Sequence, residues 1–94
     1  MSLLSENLRY LRAQLGKSQL EIAESLIITR ARYSKYEDGH REPPVQILLS
    51  ISRYYHISID LLLSVDLRRY PLKEILELPD NRILLPVRID RNNG

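Results

Sequence analysis

Leucines at positions 4, 8, 11 and 15 recur at intervals of four, three and four, which places Leu4, Leu8, Leu11 and Leu15 on one stripe of an amphipathic helix. Glu6 lies early and Arg12 late in this run, each sign where the helix dipole favours it, and Gly16 supplies a C-terminal stop. The spacing predicts a first helix over about residues 3–15; the residues before Leu4 carry no weight in this reading. Ser18 opens the next element, forming with Glu21 an S-x-x-E capping box. Leu20, Ile22, Ala23 and Leu26 then supply the buried side of a second helix, about 19–25. Thr29 is the next N-cap, starting a third helix at Arg30 that runs to Glu37, where Asp38-Gly39 brings turn chemistry.

Pro43-Pro44 excludes helix before it and favours a helix start after it. The fourth helix, about 45–55, shows Val45, Leu48, Leu49, Ile51, Ser52 and Tyr55 on a broad apolar arc, and His56 closes it. Ser58 caps a short fifth helix through Leu63, with Asp60 in its first turn. Beyond it the pattern changes. Pro71 can start a further short helix, Leu72 to Leu78, ended by Pro79, and Asp80-Asn81 is a turn. Ile83 to Asp90 then has the β-branched content of a strand, confined by Pro86 to an edge or a bulge. The pattern therefore predicts an all-α domain over residues 1–65 and an extension over 66–94 with a short helix and a strand. That strand either leads into a longer protein or pairs with its counterpart in a second copy.

Composition narrows the classes. With 94 residues, 44% of them apolar and 28% charged, the chain can bury one core and is not a disordered tail. A net charge of +2 is too small for a polycationic coat, so any nucleic-acid contact must use a local basic face. There is no cysteine, which excludes disulfides and thiolate metal sites, and His40 and His56 are too far apart to suggest a metal or acid-base role. No cofactor is expected. No nucleophile–base pattern stands out, so an enzyme is not expected either. No apolar run approaches the roughly 20 residues of a membrane span, and no secretory leader opens the chain; a cytoplasmic protein is the expectation.

The third helix carries the candidate chemistry. Tyr33 and Tyr36 turn inward while Arg30, Ala31, Lys35 and the flanking Arg32 turn outward. Two short helices joined by a tight turn, with guanidinium and ammonium groups on the outer face of the second, suit a DNA major groove. Arg30 and Lys35 could donate to guanine O6 and N7, and the Ala31 methyl could meet a thymine methyl; Arg32 is a further base-reading candidate whose reach depends on the docking angle. Gln19, at the start of the second helix, is placed for a phosphate, with Ser34, His40 and Arg41 as further backbone contacts. A basic cluster taken alone is more often a solvated helical face. The tyrosines fall on or beside apolar stripes, where core packing is a better account than base stacking.

Over residues 6–63 the chain resembles the Xre/Cro-cI helix-turn-helix regulators, which include phage repressors. The matching parts are NLRYLR, SQ-x-E-x-A, SKYE-x-G, R-E-P and ISIDLLL. The resemblance implies a five-helix lambda-repressor-like domain whose second and third helices read double-stranded DNA as a homodimer. It implies that Gln19 clamps a phosphate and that Arg30, Ala31 and Lys35 read bases. It also implies that Arg12 and Glu37 form a buried ion pair beneath the recognition helix. One departure is Ile27, where the family often has Gly; a left-handed turn there would strain a β-branched residue. The stretch VDLRRYPLKEILELPDNRILLPVRID resembles the linker of Xre-type regulators that continue into a LexA-like all-β domain, none of whose catalytic residues occurs here. The alternative to a DNA-reading regulator is an antitoxin-like protein-interaction module on the same scaffold, suggested by the apolar stretch Ile83 to Ile89.

Overall fold

The computed structural model describes residues 2–77. They form α1 (Leu3–Leu15), α2 (Gln19–Leu26), α3 (Arg30–Glu37), α4 (Val45–Tyr55), α5 (Ile59–Ser64), a 3-10 turn at Leu67–Arg69 and α6 (Leu72–Glu77). The described residues are thus all-helical and follow a lambda-repressor-like helix-turn-helix arrangement. The strand expected at Ile83 to Asp90 and the last residue of the expected sixth helix, Leu78, lie outside the described residues.

Short polar side chains start most of these helices by satisfying first-turn amides that have no helical partner. Ser2 and Ser5 cap α1 reciprocally, so the first residues do contribute, although no weight was expected of them. At α2, Ser18 Oγ accepts from the Glu21 amide at 3.1 Å and Glu21 Oε1 accepts from the Ser18 amide at 2.8 Å. That second hydrogen bond holds the Glu21 carboxyl below the usual carboxylate range. Thr29 caps α3 and Ser58 caps α5, whereas Pro44 starts α4 without a side-chain cap. Left-handed residues close α1 at Gly16, α2 at Ile27 and α4 at His56. The 3-10 turn, capped by Asp66, was not expected; Asp66 two residues before Arg68 is its sequence signal.

The core gathers Leu4, Leu8 and Leu11 of α1 against Ile22, Ala23 and Leu26 of α2, Tyr33 and Tyr36 of α3, and Ile51 and Tyr55 of α4. Ile57, Leu61, Leu62, Leu67 and Ile75 close it from the C-terminal side. α1 runs through the middle, packed on α3, α5 and the 3-10 turn, while α2 rests on α3 and α4. Several apolar positions expected in the core stand outside it. Leu20 is half exposed because the helical repeat sets it roughly 160° round from Ile22. Leu15 projects past the end of the packed part of α1, and Val45 and Leu49 are exposed. Of the α4 arc, Ile51 and Tyr55 are the buried pair.

Asn7, fully buried, ties α1 to the end of α5. Its Nδ2 donates to the Leu62 and Val65 carbonyls at 2.9 and 2.7 Å, and its Oδ1 accepts from the Leu67 amide at 3.0 Å. A polar residue on a buried helix face is tolerated because both its amide protons and its carbonyl oxygen have partners. Outside this clasp, Arg68 pairs with Asp66 at 2.9 Å and Glu6 at 2.8 Å on the surface.

Candidate nucleic-acid interface

α2 ends in a Schellman-type turn: the Ile28 amide donates to the Ala23 carbonyl at 3.0 Å and the Ile27 amide to the Glu24 carbonyl at 3.1 Å. Ile27 takes the left-handed conformation at φ 60° with its side chain 90% exposed. The departure from glycine noted in the sequence therefore falls on a residue held in a conformation that costs a β-branched side chain roughly 1–2 kcal/mol. Two residues later Thr29 Oγ1 accepts from the Arg32 amide at 3.1 Å and α3 begins.

Tyr33 and Tyr36 anchor α3 on the core. Burial pushes the Tyr33 and Tyr55 phenols well above their ordinary range, and among the described residues neither hydroxyl meets a partner at good hydrogen-bond geometry. Arg30, Ala31, Arg32 and Lys35 are all exposed on the outer side of α3. Ser34, half-buried, lies 3.5 Å from Asp38 Oδ2. His40 and Arg41 are exposed in the following loop, whose amides fold back on the Lys35 carbonyl at 3.0 and 3.3 Å. Arg30, Ala31, Arg32, Lys35, His40 and Arg41 are thus open to solvent along α3 and the loop after it, with Arg30 and Arg32 roughly 160° apart round the helix.

Behind α3, Arg12 and Glu37 form a two-pronged pair, Nε to Oε2 at 2.6 Å and Nη2 to Oε1 at 3.1 Å. The Glu37 side chain is 1% exposed. Burial alone would raise its carboxyl; hydrogen bonds from Arg12 and Gln19 outweigh it and hold the group below its ordinary range. Arg12 also reaches the Lys17 carbonyl through Nη1 at 3.0 Å, fastening the α1–α2 connection. Gln19 is half-buried and gives one Nε2 proton to Glu37 Oε1 at 3.1 Å, which leaves the second proton for an anion at the start of α2.

Two contributors escaped the sequence reading. Arg9 donates from Nη2 to the Glu37 carbonyl at 3.1 Å, placing a cation at the C-terminal end of α3 where the helix dipole favours it. Its spacing of three from Arg12 puts both on one side of α1, a signal that could have been read. Tyr36, taken only as a core residue, accepts from Arg32 Nε at 2.8 Å through its hydroxyl. Among the described residues no His, Asp and Glu side chains gather into a potential metal site, and no helix is long and apolar enough to cross a membrane.

Comparison with known proteins agrees with this geometry. The HTH_3 helix-turn-helix family profile matches residues 8–62. The chain is 37% identical over 81 residues to the SPbeta prophage-derived HTH-type transcriptional regulator YonR of Bacillus subtilis, covering 86% of this chain and 75% of that one. It is 43% identical over 61 residues to the HTH-type transcriptional regulator YqaE of the same organism, covering 65% of this chain and 53% of YqaE. Among solved structures, the P22 c2 repressor in complex with synthetic operator 9T superposes with a TM-score of 0.64 at 26% identity, over 68% of this chain and 97% of that one. The chain belongs to the HTH_3 helix-turn-helix family, of the Xre/Cro-cI type.

Proposed function

We propose that this protein is a sequence-specific regulator of transcription that inserts α3 into the major groove of double-stranded DNA. The observation that carries this reading is the outward cationic face of α3, backed on its inner side by the Arg12–Glu37–Gln19 network. Arg30 and Lys35 donate to guanine edges and Ala31 packs on a thymine methyl. Gln19 clamps a phosphate at the N-terminus of α2, and Ser34, His40 and Arg41 contact the backbone beyond the far end of α3. Two copies act together on half-sites about one helical turn apart. The exposed Leu63, in a groove it lines with Leu3, Leu4, Pro43 and Leu48 and the polar Ser2 and Glu42, supplies a face for the second copy. The similar P22 c2 repressor is known in complex with a synthetic operator, which supports double-stranded DNA as the ligand, and the site of action is the cell interior where DNA lies. The rival reading, a protein-interaction module, drew on Ile83 to Ile89, which lie outside the described residues, and no described feature favours it.

Selection of bound sequences from a random duplex pool tests this directly. The expected result is a consensus with twofold symmetry. A pool that shows no enrichment at low salt removes the DNA-binding reading, and an asymmetric single half-site removes the dimer.

A further inference from the structure

Arg32 stands apart from the other cations of α3. Side chains on a helix normally lean toward its N-terminus, and the N-terminal end of a recognition helix is the part that enters the groove. By the same rule Tyr36, one turn on, reaches back over Arg32, and its hydroxyl accepts from Arg32 Nε at 2.8 Å. The helical repeat also sets it about a quarter-turn from the line through Ala31 and Lys35. Tyr36 is itself 2% exposed, so the acceptor is fixed by the core. With Nε occupied, the two Nη groups form the free end of the fork, and no carboxylate among the described residues pairs with Arg32. Arg32 therefore stands to one flank of the Ala31–Lys35 line.

We propose that Tyr36 is a positioning residue that presets Arg32 as a clamp on one DNA backbone phosphate, rather than as a reader of a base. The proposal rests on α3 being the DNA-binding element. Binding normally costs a free arginine its side-chain freedom, and an arginine already ordered in the unbound protein loses less. Arg32 therefore adds affinity without adding discrimination, since phosphate contacts are alike at every sequence.

The test measures binding of the full chain, by fluorescence anisotropy over a range of salt, to the selected duplex and to duplexes changed one base pair at a time. Arg32→Ala is expected to weaken every duplex by the same factor and to lower the slope of log affinity against log salt by about 1. Tyr36→Phe keeps the buried ring and the charge; it is expected to weaken every duplex about three- to tenfold with the slope unchanged. The double variant should bind as Arg32→Ala alone does. Arg32→Lys, which keeps the cation without the fork, should match Tyr36→Phe, so the idea stays testable if removing the hydroxyl lowers stability. Three results overturn it: Tyr36→Phe binding as the unaltered protein does, an equal loss on adding Tyr36→Phe to Arg32→Ala, or a selective loss at one base pair for Arg32→Ala. Absence of binding by the unaltered protein would instead remove the DNA reading beneath it.

Discussion

Gln19 Nε2 and Arg12 Nη2 donate to the same oxygen of Glu37, each at 3.1 Å, so the side chain at the start of α2 is fixed by the carboxylate at the end of α3. Glu37 thereby joins α2 and α3 to each other and to α1. Removing one member of a buried pair strands a charge, at a cost of roughly 3–5 kcal/mol. Glu37→Ala is therefore expected to lower stability by that amount in urea unfolding. An unchanged midpoint would show that the pair contributes nothing.

The same carboxylate sets an acid limit. Its folded-state pKa lies below the ordinary value of 4.5, so the pair's stabilisation is fully present above that pH and is lost as pH falls through the lower, folded-state value. Glu21 and Asp66, held below their usual range by the Ser18 amide and the Arg68 guanidinium respectively, act in the same direction from exposed sites. Thermal midpoints should fall on acidification from pH 5, and Glu37→Gln should show a shallower fall from a lower start. Parallel curves for the two proteins would contradict this.

Asn7→Ala should be among the most damaging changes in the molecule. It removes three hydrogen bonds, two of them buried, and leaves two carbonyls and an amide without these partners. At about 1–3 kcal/mol for each stranded group, a loss of roughly 3 kcal/mol or more is expected by chemical denaturation. A loss below about 1 kcal/mol would mean that these backbone groups find other partners.

Ile27→Gly is expected to stabilise the protein by about 1 kcal/mol. The left-handed conformation strains isoleucine, while glycine adopts it freely at some cost in chain entropy, and the exposed side chain gives up little packing. Calorimetry reads the shift, and a lower melting temperature would show that the Ile27 side chain does make a stabilising contact.

Arg30→Ala and Gln19→Ala separate base reading from phosphate clamping. The first should lose discrimination at one base pair, worth roughly 1–3 kcal/mol, and the second should weaken binding to all duplexes alike. Equal losses on every sequence for both variants would show that the two roles are wrongly divided.

Most of the helical framework was legible in the chain. Stops at Gly16 and His56, caps at Ser18, Thr29 and Ser58, and the Pro43-Pro44 break each act through neighbouring atoms, so α1, α3 and α4 have the bounds that these signals predict. Packing was less legible. Periodicity marks a stripe but not how wide a neighbour covers it, and so Leu15, Leu20, Val45 and Leu49 are exposed where burial was expected. The Asn7 clasp joins residues 55 to 60 positions apart, a relation that no local pattern encodes. At the candidate interface the exposed side of α3 follows from its alternation with Tyr33 and Tyr36. The bond from Arg32 to Tyr36 does not, because the same tyrosine serves the core with its ring and the surface with its hydroxyl.

A single beam, α1, carries two unlike loads: Arg9 and Arg12 grip the end of α3, and one turn earlier Asn7 grips the chain as it leaves α5. A tilt of α3 and a tug on the segment that starts at Leu67 are thus felt by the same rod, and through it the third helix and the chain leaving α5 are set against one another.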